Sequence, residues 1–180
     1  AYVRADVTRE SDIAASVDAT VERFGRLDVM FNNAASGTRT SVDSITSEEI
    51  DEGVHLLLSS VVLGMRYAVE PMKASGGGSI INNSSIAALR YGQGDLLYGA
   101  LKAAVTHYSK MAGVELGPLG IRVNVISPGA IATPIFWGGS ERANTMSDEE
   151  NAAMLEKLKG NLAKGTTLPM SGLASDIAEA

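Results

Sequence analysis

The sequence contains no cysteine and only two histidines, His55 and His107, in 180 residues. A disulfide framework and thiolate metal sites are thereby excluded, and two isolated imidazoles give no metal-ligand spacing. No apolar run is long enough to cross a bilayer; the longest, around Leu56–Met65, is interrupted by Ser59 and Ser60. The fifteen basic residues are scattered, and a net charge of −6 with a pI near 4.9 leaves no electrostatic footprint for nucleic acid or an anionic membrane. Signal-peptide patterns, internal repeats and low-complexity tracts are also missing. A reducing compartment is compatible with these absences, and a cytoplasmic location is expected.

What remains has the composition of one globular domain: 45% of residues are hydrophobic and 20% charged, enough apolar material for a core. Short Val/Ile/Leu-rich runs predict strands at Tyr2–Val7, Leu27–Asn33, Ser79–Ser84 and Arg122–Ser127. Helical patterns lie between them at Ser11–Phe24, Ser47–Lys73 and Leu96–Leu116, with stops at Gly25, Gly76–Gly78 and Gly117-Pro118. Such alternation predicts the α/β class, with a parallel sheet and right-handed crossovers. Ligands of these sheets bind beyond the carboxyl ends of the strands. That places attention on Asp6 and Val7, Asn32–Ala35, Ser84 and Ser85, and Pro128–Thr133. The first residues read as a strand with nothing before it, and "ASDIAEA" at the other end reads as the opening of a helix capped by Ser175 or Asp176. Both ends are expected to be cuts within a domain.

Within the stretch "SSIAALRYGQGDLLYGALK", Tyr98 precedes Lys102 by four residues and follows Ser85 by thirteen. Residues four apart share a helix face, so the phenol and the ammonium can meet. An isolated phenol titrates near pH 10, and a neighbouring cation favours its phenolate, which suits the pair to acid–base work. Ser85, arriving from the end of a strand, is placed to donate a hydrogen bond to a substrate oxygen on which charge develops. The plainer reading is a half-buried aromatic with a lysine that snorkels to water. With five tyrosines and six lysines, a Tyr-x-x-x-Lys match arises by chance roughly 0.2 times, so the pair alone decides nothing.

The wider pattern decides more. "ADVT" at Ala5–Thr8, "LDVMFNNAA" at Leu27–Ala35, the Ser85, Tyr98 and Lys102 spacing, and "IRVNVISPGAIATPI" at Ile121–Ile135 follow one another in an order that resembles the classical branch of the short-chain dehydrogenase/reductase family. The resemblance covers essentially the whole chain. It implies a Rossmann-like, doubly wound parallel sheet in three α/β/α layers, with residues 1–180 as one dinucleotide-binding domain lacking its N-terminal glycine-rich unit and its C-terminal end. It implies NAD or NADP as cofactor and a secondary alcohol or ketone as substrate. Tyr98 is then the acid/base, Lys102 assists it and holds the nicotinamide ribose, and Ser85 orients the substrate oxygen. Asp6 and Val7 match residues that meet the adenine, although an acid just before a helix is equally a helix N-terminal feature. Asn32, Asn33, Ala34 and Ala35 match the turn beneath the cofactor, with Ala35 replacing a glycine, which is tolerable at negative φ. Pro128, Gly129, Ile131 and Thr133 match the loop near the carboxamide and the phosphates.

Two departures keep alternatives open. The family places an asparagine, which helps hold a relay water, where this chain has Leu57 in "HLLLSS"; leucine cannot hydrogen-bond, leaving His55, Ser59 or main-chain carbonyls to hold such a water. A leucine, Leu101, also stands where serine is frequent before the lysine. A non-catalytic dinucleotide-binding relative is therefore a second reading, and a sugar-nucleotide epimerase or dehydratase of the extended branch a third. Residues 135–170 read as a substrate-binding lid, whose Ile135, Phe136, Trp137 and Met146 fit an apolar or alicyclic substrate or pack on a core of their own. The apolar helices "LLLSSVVLGM" and "LLYGALKAAVTHYSKMAGVEL" predict a homodimer or homotetramer.

Overall fold

The computed structural model describes residues 1–165 and 169–180. Its contacts divide the chain into two compact units, Ala1–Ser127 and Pro128–Ala180.

In the first unit, α1 (Glu10–Phe24) leads to β1 (Val29–Asn32), and α2 (Ser47–Val54) continues through a π-helical turn (His55–Ser59) into α3 (Ser60–Ala74). There follow β2 (Gly78–Asn83), a 3-10 turn (Ile86–Ala88), α4 (Leu96–Leu116) and β3 (Ile121–Ile126). The three strands form a parallel sheet in the order β1-β2-β3, with Met30, Ile80 and Val123 in register. Parallel neighbours need a crossover, and the helices between the strands supply it. Local signals set the limits of these elements. Gly25 ends α1 in the left-handed region at φ 76°; Thr46 and Glu49 form a capping box at the start of α2; Asp95 caps α4. Gly77, at φ 125°, admits no side chain, because a Cβ there would stand 2.5 Å from the Gly120 carbonyl oxygen where the turns entering β2 and β3 cross.

Alternation along the strands points Met30, Asn32, Ile80, Asn82 and Ile121 toward the helices. There Ile80, Val105, Met65 and Met72 pack with Val17 of α1 and Leu116 of α4 in one buried cluster. Each such apolar side chain contributes about 1.5–3 kcal/mol by leaving water. Val29 and Phe31 project from the opposite face and are 54% and 47% exposed.

The expected architecture is corrected at two points. Tyr2–Val7 is not a strand: Tyr2 is 89% exposed and the segment joins no ladder, without which an apolar run has no partner for its backbone groups. The helix expected over Ser47–Lys73 runs through Ala74 but changes hydrogen-bond register at His55–Ser59, where Ser60 N–H reaches back five residues to His55 O. In this unit the described residues form the sheet and the helical layer on one of its faces.

The second unit holds a 3-10 turn (Pro134–Trp137), α5 (Gly139–Ala143), α6 (Asp148–Leu162) and α7 (Ala174–Ala178). Ile131 and Gly172 form a single parallel bridge. Ser147 and Glu150 form the capping box that starts α6. The buried Trp137 donates its indole N–H to Asn151 Oδ1 at 3.3 Å, and Asn151 donates to Ala143 O at 2.9 Å, so the turn, α5 and α6 share one polar joint. The last helix begins at Ala174 rather than after a cap at Ser175 or Asp176; Asp176 is its third residue and accepts from Leu173 N–H at 2.7 Å. Of the segment expected as a lid, residues 166–168 lie outside the described residues. Among the described residues no helix is long and apolar enough to cross a membrane, and no cluster of His, Asp and Glu is arranged to hold a metal ion.

Candidate active site

Because the sheet is parallel, β1 and β2 release their chains at the same edge: Asn33 follows β1, and Ser84 and Ser85 follow β2. Ser85 caps the 3-10 turn that begins at Ile86, its Oγ accepting from Ala87 N–H at 3.1 Å. This turn lies against the first turn of α4. A Cβ at Gly99 would stand 3.2 Å from Ala87 O, and one at Gly94 would stand 3.0 Å from the Tyr98 ring and 3.5 Å from Ala87 Cβ. Two glycines thus let the serine-bearing turn approach Tyr98, which is half-buried.

Lys102 lies one helical turn further along α4 and is 2% exposed, so it does not snorkel to water. Its Nζ is 5.7 Å from the Tyr98 ring centroid and donates to Asn83 O at 2.7 Å. No carboxylate among the described residues pairs with it. Burial of the ammonium lowers its pKa from 10.5 to about 8. Ser84 Oγ donates to Lys102 O at 2.9 Å and shares a hydrogen bond with Thr106 at 2.6 Å, fastening the end of β2 along α4. Asn83 carries the link to β1, because its Nδ2 donates to Asn33 Oδ1 at 2.6 Å. Its own Oδ1 is buried without a hydrogen-bond partner. Beneath this edge, half-buried Asn32 and the buried Asn82 and Ser109 form a polar row: Asn32 donates to Asn82 Oδ1 at 2.8 Å and Asn82 to Ser109 Oγ at 2.8 Å.

Beside the Asn33 turn, Ala5, Val7, Ile13, Asn32, Asn33 and Ala34 are among the residues around a cavity of about 190 Å³. Ala35 keeps a negative φ as its place in the turn requires; among the described non-glycine residues, Arg39 is the one with positive φ, 110°. Asp6 is exposed. Its Oδ1 accepts from Thr8 Oγ1 at 2.7 Å and Thr8 N–H at 3.0 Å, and these bonds hold its carboxyl below the usual carboxylate value. Leu57 is 1% exposed within the π turn. His55 is exposed and Ser59 half-buried.

In the second unit, Pro128 is half-buried and Gly129 exposed. Ile131 pairs with Gly172, and Thr133 precedes the Pro134–Trp137 turn, its Oγ1 donating to Ile131 O at 3.4 Å.

A family model described as "Enoyl-(Acyl carrier protein) reductase" matches residues 1–166. Trans-4-hydroxycyclohexanecarboxylate dehydrogenase of Sinomonas cyclohexanicum is 44% identical over 137 residues, covering 76% of this chain and 52% of the relative. The chain belongs to the short-chain dehydrogenase/reductase family. Levodione reductase of Leifsonia aquatica is 38% identical over 148 residues, 82% of this chain and 54% of its own. Among solved members of the family, L-sorbose reductase from Gluconobacter frateurii, complexed with NADPH and L-sorbose, superposes with a TM-score of 0.82 at 27% identity, covering 98% of this chain and 66% of that one. The chain therefore spans about half the length of the curated relatives it matches. Its α/β fold is the Rossmann-like fold of the family.

Sequence reading alone passed over two members of this candidate site. Asn83 stands beside the expected serines, but its bonds to Lys102 and Asn33 are made across the sheet edge and leave no local pattern. Asp95 did leave one, an acid directly before a helix and three residues ahead of Tyr98. It caps α4 and also accepts from Thr38, Arg39 and Thr40. Burial alone would raise its pKa, but the hydrogen bonds from Thr38, the Tyr98 N–H and Thr40 outweigh it and hold the carboxyl below the usual carboxylate value.

Proposed function

We propose that the protein is an NAD- or NADP-dependent oxidoreductase interconverting a secondary alcohol and a ketone, with Tyr98 as general acid/base and Lys102 and Ser85 as its catalytic partners. The observation that carries this reading is the buried Lys102, which pairs with no carboxylate among the described residues, is held by the Asn83 carbonyl, and lies one turn from the Tyr98 ring. A structural lysine has little reason to be kept there, since burying an ammonium costs several kcal/mol before any compensation. In the reduction direction Tyr98 gives its phenolic proton to the carbonyl oxygen, and in oxidation it takes the proton back. Lys102, with a pKa near 8, is mostly protonated at neutral pH and sets a positive charge beside the phenol. Ser85 hydrogen-bonds the oxygen that gains charge. Bound dinucleotide supplies or accepts the hydride.

The residues present suit a dinucleotide. The cavity beside Val7, Asn33 and Ala34 and the unpartnered Asn83 Oδ1 offer small-residue approach and an acceptor for a ligand hydroxyl or amide. On this reading Asp6 and Val7 meet the adenine, Asn33, Ala34 and Ala35 pass beneath the cofactor, Tyr98 and Lys102 hold the nicotinamide ribose, and Pro128, Gly129, Ile131 and Thr133 reach the carboxamide and phosphates. The NADPH bound to L-sorbose reductase is in keeping with this. Residues 135–170 act as the lid. Exposed Ile135 and Phe136 offer it an apolar contact, while Trp137 belongs to the packing of its own unit. An alicyclic alcohol accords with that surface and with the cyclohexane ring in the name of the Sinomonas enzyme. A cytoplasmic homodimer or homotetramer is the expected form, supported by exposed Tyr108, Met111 and Val114 along α4.

One observation keeps the non-catalytic reading in play, namely the fully buried Leu57 in place of the relay asparagine. Replacing Tyr98 by phenylalanine in the whole protein separates the two. Titration with NAD or NADP should match the parent, while turnover of cyclohexanol falls by about 10²–10⁴-fold. Parental turnover in that variant removes Tyr98 from the mechanism, and a parent that binds dinucleotide but turns over no alcohol or ketone favours the non-catalytic relative.

A further inference from the structure

Asp95 has more hydrogen-bond donors than a helix cap uses. Its Oδ1 accepts from Thr38 Oγ1 at 2.5 Å, Thr40 Oγ1 at 2.9 Å and Tyr98 N–H at 3.1 Å, and its Oδ2 from Arg39 N–H at 3.1 Å. Capping needs the bond to Tyr98 N–H alone. The other three come from the segment that begins three residues after the Asn33–Ala35 turn.

We propose that Asp95 is a positioning residue that clamps Thr38–Thr40 to the first turn of α4 and so fixes the turn expected beneath the cofactor relative to Tyr98. The proposal rests on Tyr98 being the acid/base. Arg39 supplies an independent observation: its φ of 110° is one that side-chain-bearing residues rarely adopt, and such conformations persist where surrounding contacts over-determine them. The two threonine hydroxyls and the Arg39 amide, all directed at one carboxylate, are those contacts. Thr38 is also held from the other side. A Cβ on the buried Gly53 of α2 would stand 3.3 Å from its methyl group, 2.9 Å from Leu97 and 3.3 Å from Leu101, so α2, Thr38 and α4 are in contact with no space between them. The carboxyl stays ionised because its donors outweigh its burial, and charge-assisted bonds are the stronger kind.

The functional consequence follows from geometry. One oxygen atom, Oδ1, joins the backbone of Tyr98 to the loop that continues from Asn33, Ala34 and Ala35. If hydride passes on the loop side and the proton on the helix side, both must meet one carbonyl group, and a displacement of about 1 Å can cost on the order of 10²-fold in rate. Loosening the clamp should therefore affect the chemical step more than either binding step.

The test uses the whole protein with cyclohexanol and whichever of NAD and NADP the parent accepts. Asp95→Ser keeps a capping oxygen for Tyr98 N–H but cannot reach three loop donors. The pair Thr38→Val with Thr40→Val keeps Asp95 and removes the hydroxyls. Both should lower kcat about 10–100-fold, with dinucleotide Kd and alcohol KM changed less than about threefold. Combining all three changes should lower kcat no further than the larger of the two. Hydrogen exchange gives a readout apart from activity: in Asp95→Ser the Arg39 amide should lose protection while the Tyr98 amide keeps it. Parental kcat in Asp95→Ser, multiplied losses in the combined variant, or unchanged exchange at Arg39 overturns the proposal. So does a fall in kcat matched by equal losses in dinucleotide affinity and thermal stability, which marks a merely structural role. If Tyr98→Phe is inactive while Asp95→Ser is parental, only the clamp fails; if Tyr98→Phe is parental, or the parent itself is inactive, the clamp falls with the reading beneath it.

Discussion

Two long helical segments lie on the same face of the sheet, and they treat polarity in opposite ways. The α4 helix is regular over 21 residues, carries Tyr98, and buries Lys102 against the end of β2. The segment from α2 to α3 packs beside it, breaks register in the π turn His55–Ser59, and presents there the buried Leu57. A buried cation is tolerated in α4 because the neighbouring strand end offers a carbonyl to its ammonium. Across from it, the π turn satisfies its own displaced backbone: Ser60 Oγ donates to Leu56 O at 2.6 Å. The hydrogen-bond partner of the Lys102 ammonium is thus a main-chain carbonyl, and the facing helix contributes packing. With no polar side chain at position 57, a relay to Lys102 on that side would have to run through His55, Ser59, main-chain carbonyls or water.

The largest effect that can break this comparison concerns Lys102. Below about pH 8 the folded and unfolded chains both hold its proton, and the folded state bears the full cost of a desolvated ammonium. Between about 8 and 10.5 the unfolded chain still binds a proton that the folded chain has released, so this residue makes stability rise with pH. Lys102→Met abolishes that slope. The stability difference between variant and parent, from denaturant melts, should narrow by about 3 kcal/mol as pH rises across the window. A pH-independent difference would mean that the lysine is solvated.

Leu57→Asn comes next. In a fully packed π turn the introduced amide finds few partners, and a denaturant melt should record a loss of about 1–3 kcal/mol. If a water already bridges main-chain groups there, kcat stays the same or rises while dinucleotide affinity is kept; activity that appears only in this variant would shift the assignment to a non-catalytic parent. The smallest effect belongs to Ser60→Ala, which removes the donor serving Leu56 O and should cost about 0.5–1.5 kcal/mol without altering turnover. A larger loss, with reduced helicity, would show that the π turn depends on this one hydroxyl.

Sequence alone determined the element order from α1 to β3, the parallel sheet and the linear placement of Ser85, Tyr98 and Lys102, whose surrounding motifs carried the resemblance to the family. These rest on local signals, namely apolar runs, caps, glycine stops and fixed spacings, which act within a few residues of one another. The span of α4 follows from Asp95 at one end and Gly117-Pro118 at the other, both visible in the chain. What only the tertiary structure decided is non-local. Tyr2–Val7 has the composition of a strand, but a strand exists through its ladder, and residues 1–7 pair with none. The π turn depends on how two helices pack, which helical periodicity does not encode. Whether Lys102 snorkels or is buried turned on the Asn83 carbonyl nineteen residues away in the chain. Of the bonds to Asp95, the one from Tyr98 N–H is local and marks a cap; the three proposed as a clamp come from residues more than fifty positions earlier, brought within reach only when β1 and α4 pack around the same strand.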